Sequence, residues 1–273
     1  MTSTEPEGDA CGNGVLDPGE ECDQGFKNDD TAACTKGCLK ATCGDHLVFA
    51  DVEECDLGMA NQEGVYGGCT PGCELGPHCG DGHRDEPFEQ CDPEDPGLEN
   101  AAVCDSCVWG GKVMFASSVV YSGALGGLSG ADDKCQVLAG EAQIIGEGRA
   151  FRAWLSDGVK SAAARITHSD APYILLDGTI VAEGWADLVD GTLAHPIDRN
   201  EMNEPVKDFL WAWTGTTPQG LVDPMYTCSG WTSAMNDVKG ARGRPDSLTS
   251  TWSWVKGGEN ACVTVQRIYC VEQ

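Results

Sequence analysis

The sequence predicts a disulfide-rich front made of small repeated units, followed by a single α+β domain. Three observations carry that expectation. Twelve of the 16 cysteines lie between Cys11 and Cys107, at regular spacing. All eight tryptophans come later, the first at Trp109. Beyond Trp109, stretches of helical and alternating apolar period are interleaved with long irregular loops.

The expected units are a flexible linker over 1–10, repeats over 11–42, 43–78 and 79–108, and a domain over 109–273. The first repeat runs through Cys11, Cys22, Cys34 and Cys38. The second uses Cys43, Cys55, Cys69 and Cys73, and the third Cys79, Cys91, Cys104 and Cys107. Each copy is too poor in large apolar side chains to bury a core, so a covalent or ionic link must replace it. Two disulfides per unit supply that link, typically contributing about 2–4 kcal/mol each. A four-cysteine zinc site is the rival, since it also uses short Cys-x2–4-Cys spacing. The even cysteine count and the acidity of the segment favour disulfides in an oxidising compartment. Connectivity stays open, because four cysteines allow three pairings.

Polar residues recur with the cysteines. Asn13, Asp45 and Asp81 stand two places after the first cysteine of each copy. Glu20, Glu53 and Glu89 stand two places before the second, and Asp23, Asp56 and Asp92 directly follow it. Oxygen donors on glycine-rich loops are calcium-type ligands, so calcium is the expected cofactor of the repeats. The competing use is capping of turns by Asx and Glu side chains. The pattern C-G-[ND]-G…G-E-x-C-D resembles cysteine-rich repeats of secreted and surface proteins in myxobacteria and their relatives. "CGNGVLDPGEECD" matches closely, while "CGDHLVFADVEECD" and "CGDGHRDEPFEQCD" have lost glycines. The resemblance implies a spacer or stalk.

Charge narrows the partners. The net charge is −27, and up to Cys107 there are 25 Asp and Glu against 4 Lys and Arg. Nucleic acid and anionic membranes are thereby disfavoured. No apolar run reaches the ~20 residues a membrane span needs. "MTSTEPEGDA" is polar and acidic, so Met1 is expected to begin a chain trimmed of its export signal, with a lipid anchor compatible with such a tether.

In the second domain, "SGADDKCQVLAGEAQ" reads as a helix with a capping-box-like start at Ser129 and Asp132. "RAFRAWLS" alternates like a strand, and "DGVKSAAARI" is helix-prone. "PYILLDGTIVA" predicts two strands joined by an Asp177-Gly178 turn. "GWADLVDG" reads as a short helix, "FLWAWTG" and "TWSWVKG" alternate aromatic residues, and "CVTVQRIYCVEQ" closes as a β-rich run. Trp211, Trp213, Trp252 and Trp254 are expected in the core and sheet. Cys262 and Cys270, eight residues apart, have equal parity on a strand and so are expected to face one layer.

This domain resembles the C-type lectin-like fold. "ADDKC", "FRAWLSD", "APYILLDGTIVAEGWADL", "WTGTTPQG" and "YTCSGW" are similar in order and spacing to endostatin, the C-terminal collagen domain. The resemblance covers nearly all of 112–273 and implies nested disulfides, Cys135–Cys270 and Cys228–Cys262. It also places recognition on the loops between Asp157 and Tyr226. His195, Asp198, Arg199, Asn203 and Glu204 are the candidate ligand-binding residues there. The sugar-binding calcium motifs of C-type lectins do not carry over, since Asn203-Glu204-Pro205 has the residues in another order. Endostatin's zinc histidines are also missing, because the first histidine of the domain is His168.

No catalytic constellation stands out. The histidines His46, His78, His83, His168 and His195 show neither H-E-x-x-H spacing nor a G-x-S-x-G neighbour. The expected function is therefore a non-enzymatic, secreted or surface-displayed binding or adhesion protein. A stapled stalk would present a lectin-like domain to an extracellular protein or glycan. The alternatives are a structural envelope component and a secreted enzyme or inhibitor with unrecognised loops.

Overall fold

A computed structural model describes residues 11–98, 101–142, 149–206, 211–223 and 225–273. The expected linker over 1–10 lies outside them, as do Phe209 and Leu210 of the predicted aromatic strand. The chain divides into two compact units, Met1–Pro96 and Gly97–Gln273. All 16 cysteines are in disulfides, as in proteins of an oxidising compartment. No helix among the described residues is long and apolar enough to cross a membrane.

The first unit contains little regular structure. In the first repeat Cys11 bonds Cys38 and Cys22 bonds Cys34. The second repeats this nested connectivity with Cys43–Cys73 and Cys55–Cys69. Sulfur replaces the missing core: Cys34, Cys38, Cys69 and Cys73 are buried, while Phe26 and Met59 on short 3-10 turns are 95% and 99% exposed.

The second unit is α+β with one curled sheet. A hairpin of β1 (Cys104–Asp105) and β2 (Val108–Trp109) precedes β3 (Lys112–Ala116). Helix α1 (Gly127–Glu141) and β4 (Phe151–Ala153) follow, then α2 (Ala162–Arg165). Strands β5 (Tyr173–Ile174) and β6 (Ile180–Ala182) flank the predicted turn, where Gly178 adopts φ 80° and its amide closes on the Leu175 carbonyl. Next come α3 (Trp185–Leu188), β7 (Ala212–Trp213), β8 (Lys239–Gly240), β9 (Arg242–Gly243), β10 (Asn260–Ala261) and β11 (Arg267–Glu272). The main sheet has the order β6-β5-β3-β11-β7-β9, with β4 also pairing β11. β11 is thus central, which explains why all six of its residues are buried.

Four tryptophans, Trp154, Trp213, Trp231 and Trp252, are fully buried. Trp154 packs on Trp252 with ring centroids 5.0 Å apart, and Trp252 in turn meets Tyr269 of β11 at 5.9 Å. Burial drives the Tyr269 hydroxyl well above its ordinary pKa, and it donates to the Trp252 carbonyl.

Three local expectations are corrected. Helix α1 begins at Gly127 with Gly126 as its cap, so Ser129 lies inside it. Asp132 is no capping-box acid; it accepts from the Ala153 amide and holds the Arg165 guanidinium at 2.6 and 2.7 Å. Trp252 sits in a 3-10 turn (Ser250–Trp252) rather than in a strand. Cys262 and Cys270 do not share one strand either: Cys262 follows β10, and a turn closed by the Thr264 amide on Ala261 intervenes before β11. The disulfides are nonetheless Cys135–Cys270 and Cys228–Cys262.

Candidate functional site

The recurring acids of the repeats are engaged by the chain itself. Asp23 accepts from the amides of Gly12 and Gly14 through Oδ2, and from Gly25 and the Asn28 side chain through Oδ1. Asp56 accepts from Gly44, Asp45 and His46 through Oδ2, and from Gly58 and the Asn61 side chain through Oδ1. Asp92 repeats the pattern with Gly80 and Glu94. Glu20, Glu53 and Glu89 each accept from a backbone amide three or four residues earlier, at Asp17, Phe49 and Asp85. Asn13, Asp45 and Asp81 likewise accept from Val15, Leu47 and His83.

These donors aim hydrogens at the place a cation would need, and turn capping accounts for the acids' geometry. Glu20 lies within 4.8 Å of the Cys11 and Cys38 sulfurs, and Glu53 is placed likewise by Cys43 and Cys73. Those sulfurs are bonded to each other, so they offer no thiolate. The bridged sulfurs supply calcium no ligand, and the first copy leaves Glu20 Oε1 buried without a hydrogen-bond partner. Asn28 and Asn61 were the residues missed, although Asp-x4-Asn recurs in both copies.

The caps have a pH signature. Burial pushes the Asp56 carboxyl up, but the amides of Gly58, Gly44, Asp45 and His46 outweigh it and the net shift is downward. Asp23 behaves alike, with Gly25 and Gly14 among its donors. A lowered folded pKa gives stability that is complete above the unfolded value near 3.8 and is lost as pH falls through the folded one. The Gly12, Gly14, Gly44 and Gly58 amide protons are therefore expected to titrate only below about pH 4 in an NMR series, with protection lost in the same window. Shifts flat to pH 2 would contradict it.

The predicted ligand-binding loop is largely tied to itself. The Asn200 side chain accepts from Met202 and Glu204 and donates to the Glu204 carboxylate. His195 Nδ1 lies 2.8 Å from the Pro196 carbonyl and 3.9 Å from Asp198, while Arg199 reaches Asp177 at 3.6 Å. Asp198 Oδ1, Arg199 Nε and Asn203 Oδ1 are buried without a hydrogen-bond partner. Glu201 anchors this loop by accepting from the amide and hydroxyl of Ser118.

A cleft of about 480 Å³ forms elsewhere, lined by Tyr226, Thr227, Ser229, Asp237 and Lys239 with Met225 and Val238. None of His195, Asp198, Arg199, Asn203 and Glu204 lines it, although Met225 and Tyr226 belong to the end of the predicted loop region. Beneath it Cys228, Ser229, Gly230 and Trp231 all have positive φ, between 50° and 68°. Such left-handed backbone costs a non-glycine residue about 1–2 kcal/mol. Surrounding contacts hold it: the Cys228–Cys262 bridge, the Gly230 amide donating to Thr227 Oγ1, and the Trp231 indole donating to the Ser156 carbonyl at 2.6 Å. The bridge needs bare backbone on both sides, since a Cβ at Gly123 or Gly240 would come within 2.3 or 2.6 Å of Cys228 Sγ. Lys239 is paired with Glu259 at 3.6 Å.

Chemically the cleft offers hydroxyls, a phenol, the Asp237 carboxylate and the Lys239 ammonium paired with Glu259. It has no histidine. "TCSGW" was visible in the sequence, but a left-handed Ser beside a bridged cysteine has no propensity signal. No protein-family model matches the chain.

Strain at Ser229 yields a second prediction. Ser229→Gly is expected to raise stability by roughly 0.5–1 kcal/mol, because glycine adopts φ 56° freely. Chemical denaturation measures this, and a destabilised variant would show that the side chain is structurally needed.

Proposed function

We propose that this is an exported recognition protein, in which disulfide-stapled repeats act as a spacer and the α+β domain binds an extracellular glycan or protein. The observation that carries the reading is the cleft built on four consecutive left-handed residues. Strain persists where surrounding structure over-determines it, and it clusters at ligand-binding positions. The volume falls within the ordinary range for small-ligand sites, and the hydroxyl-rich lining suits a polyhydroxylated group such as a sugar. Absence of histidine from the lining, with Lys239 held by Glu259, favours binding over catalysis.

The lectin-like resemblance belongs to the same reading. It is supported by the α+β architecture, the nested bridges Cys135–Cys270 and Cys228–Cys262, and the curled sheet. Extracellular display is supported by the complete disulfide set and the acidic charge.

A glycan array probed with the full chain tests the function. Binding is expected to a defined set of glycans, unaffected by EDTA because the cleft uses side-chain and hydroxyl donors. Asp237→Asn and Tyr226→Ala are expected to abolish it. A flat array removes the glycan, and binding untouched by both variants removes the cleft.

A further inference from the structure

The arginines of this strongly acidic chain mostly sit beside carboxylates. Arg84 pairs with Glu86, Arg149 with Glu272, Arg165 with Asp132, Arg199 with Asp177 and Arg244 with Asp246. Arg152 and Arg242 form no such pair: Arg152 is exposed and donates to the Arg165 carbonyl, whereas Arg242, on β9, is half-buried, and among the described residues no carboxylate lies within salt-bridge distance of it. With 44 acidic residues against 17 basic ones in the chain, an unpaired guanidinium is conspicuous.

Its placement is specific. Nε donates to the Gly258 carbonyl at 2.6 Å, which fixes one edge of the guanidinium. Cζ lies 4.1 Å from the centroid of the Trp211 ring, so the indole supports the group from one side. Trp211 is itself held, its amide donating to the Gln266 side chain at 3.1 Å and its carbonyl accepting from Arg267 at 2.8 Å. Arg244 lies farther from the same ring, at 5.9 Å, and its charge is taken by Asp246 through two bonds. Between the two arginines Gly243 leaves no side chain, and none fits, because a Cβ there would come within 1.8 Å of the Trp252 carbonyl. The turn whose Gly258 carbonyl holds Arg242 also carries exposed Lys256, a further positive charge without an acidic partner among the described residues.

Arg242 is half-buried, and loss of hydration pushes its pKa downward. A partly desolvated cation with no counter-charge among the described residues is stabilised by an added anion. The Nη1 and Nη2 groups remain for such an acceptor, and their fork matches a planar two-oxygen group better than a point charge. Trp211 is only partly buried, and the part of the indole that the guanidinium does not cover is the apolar surface for the body of the ligand.

We propose that Arg242 backed by Trp211 is a binding site for the carboxylate of an organic acid with an aromatic or ring-shaped body. This inference is independent of the Tyr226–Lys239 cleft and of its ligand. NMR titration of the full chain, following the Arg242 Nε–H and Trp211 indole signals, tests it with benzoate, acetate, benzyl alcohol and inorganic phosphate at matched ionic strength. Benzoate is expected to bind saturably, acetate more weakly, and benzyl alcohol not at all. Arg242→Lys, which keeps the charge and loses the fork, is expected to weaken benzoate about tenfold or more. Trp211→Leu is expected to bring benzoate down to the acetate level. Equal binding of benzoate and benzyl alcohol, phosphate binding as tight as benzoate, or undiminished benzoate binding by a folded Arg242→Lys variant would each overturn the assignment.

Discussion

Alanine at both Cys135 and Cys270 is expected to lower the stability of the second unit by about 3–5 kcal/mol. The bridge spans 135 residues and joins α1 to β11, the central strand of the sheet. Cys270 lies in register with Phe115 of β3 and Ala153 of β4, so the bridge clamps the helix where three strands meet. Without it the unfolded chain regains the freedom of a very long loop, and chain-entropy arguments put that near the top of the disulfide range. Alanine avoids leaving a hydroxyl at two fully buried positions. Denaturant unfolding followed by tryptophan fluorescence measures the effect. A change below about 1 kcal/mol would mean that packing of α1 on β4 and β11 suffices without sulfur.

Trp231→Ala is expected to cost about 3–5 kcal/mol and to dismantle the cleft. Trp231 is fully buried, packs on Trp213 with centroids 5.9 Å apart, and donates its indole N–H to Ser156. Its carbonyl accepts from the amides of Leu125 and Gly126, which tie the cap of α1 to the same turn. Removing the indole opens a cavity and orphans the Ser156 carbonyl. It also frees four left-handed residues to relax toward ordinary backbone. The folded fraction should therefore lose ligand binding beyond what reduced stability explains. Denaturation together with the array separates the two effects, and a variant that binds normally once folded would show that the bridge alone holds the turn.

The two halves of the chain differed in how far residues alone could be read. In the repeats, cysteine spacing and the scarcity of apolar residues pointed to disulfides, because a segment that cannot bury a core has few other ways to fold. The recurring acids were visible as positions. Their partners were not: Asp23 and Asp56 find amides some ten residues away, and only the closed loop reveals that N–H groups already fill their oxygens. The Asp177-Gly178 turn was legible because glycine at positive φ is a local requirement. The capping role given to Ser129 and Asp132 failed because Asp132 gains more from Arg165, which is remote in sequence.

The candidate site shows the same division. His195 to Glu204 drew attention as polar residues in a loop, yet that polarity is spent largely on holding the loop together. Tyr226, Ser229, Asp237 and Lys239 meet only because the Cys228–Cys262 bridge and buried Trp231 force a turn that local propensity opposes.

Composition and spacing by themselves determined that this protein is cross-linked and acidic, with a disulfide-rich front and α+β character, since these follow from residue counts and short-range periodicity; the boundary between the two compact units, at Pro96–Gly97, falls inside the expected third repeat. Tertiary structure alone decided which carboxylates cap turns, which backbone is held left-handed, and that Arg242 lies against Trp211 with no acidic partner among the described residues. Those outcomes depend on groups far apart in the chain competing for the same hydrogen bonds and the same buried space, and no local pattern records who wins.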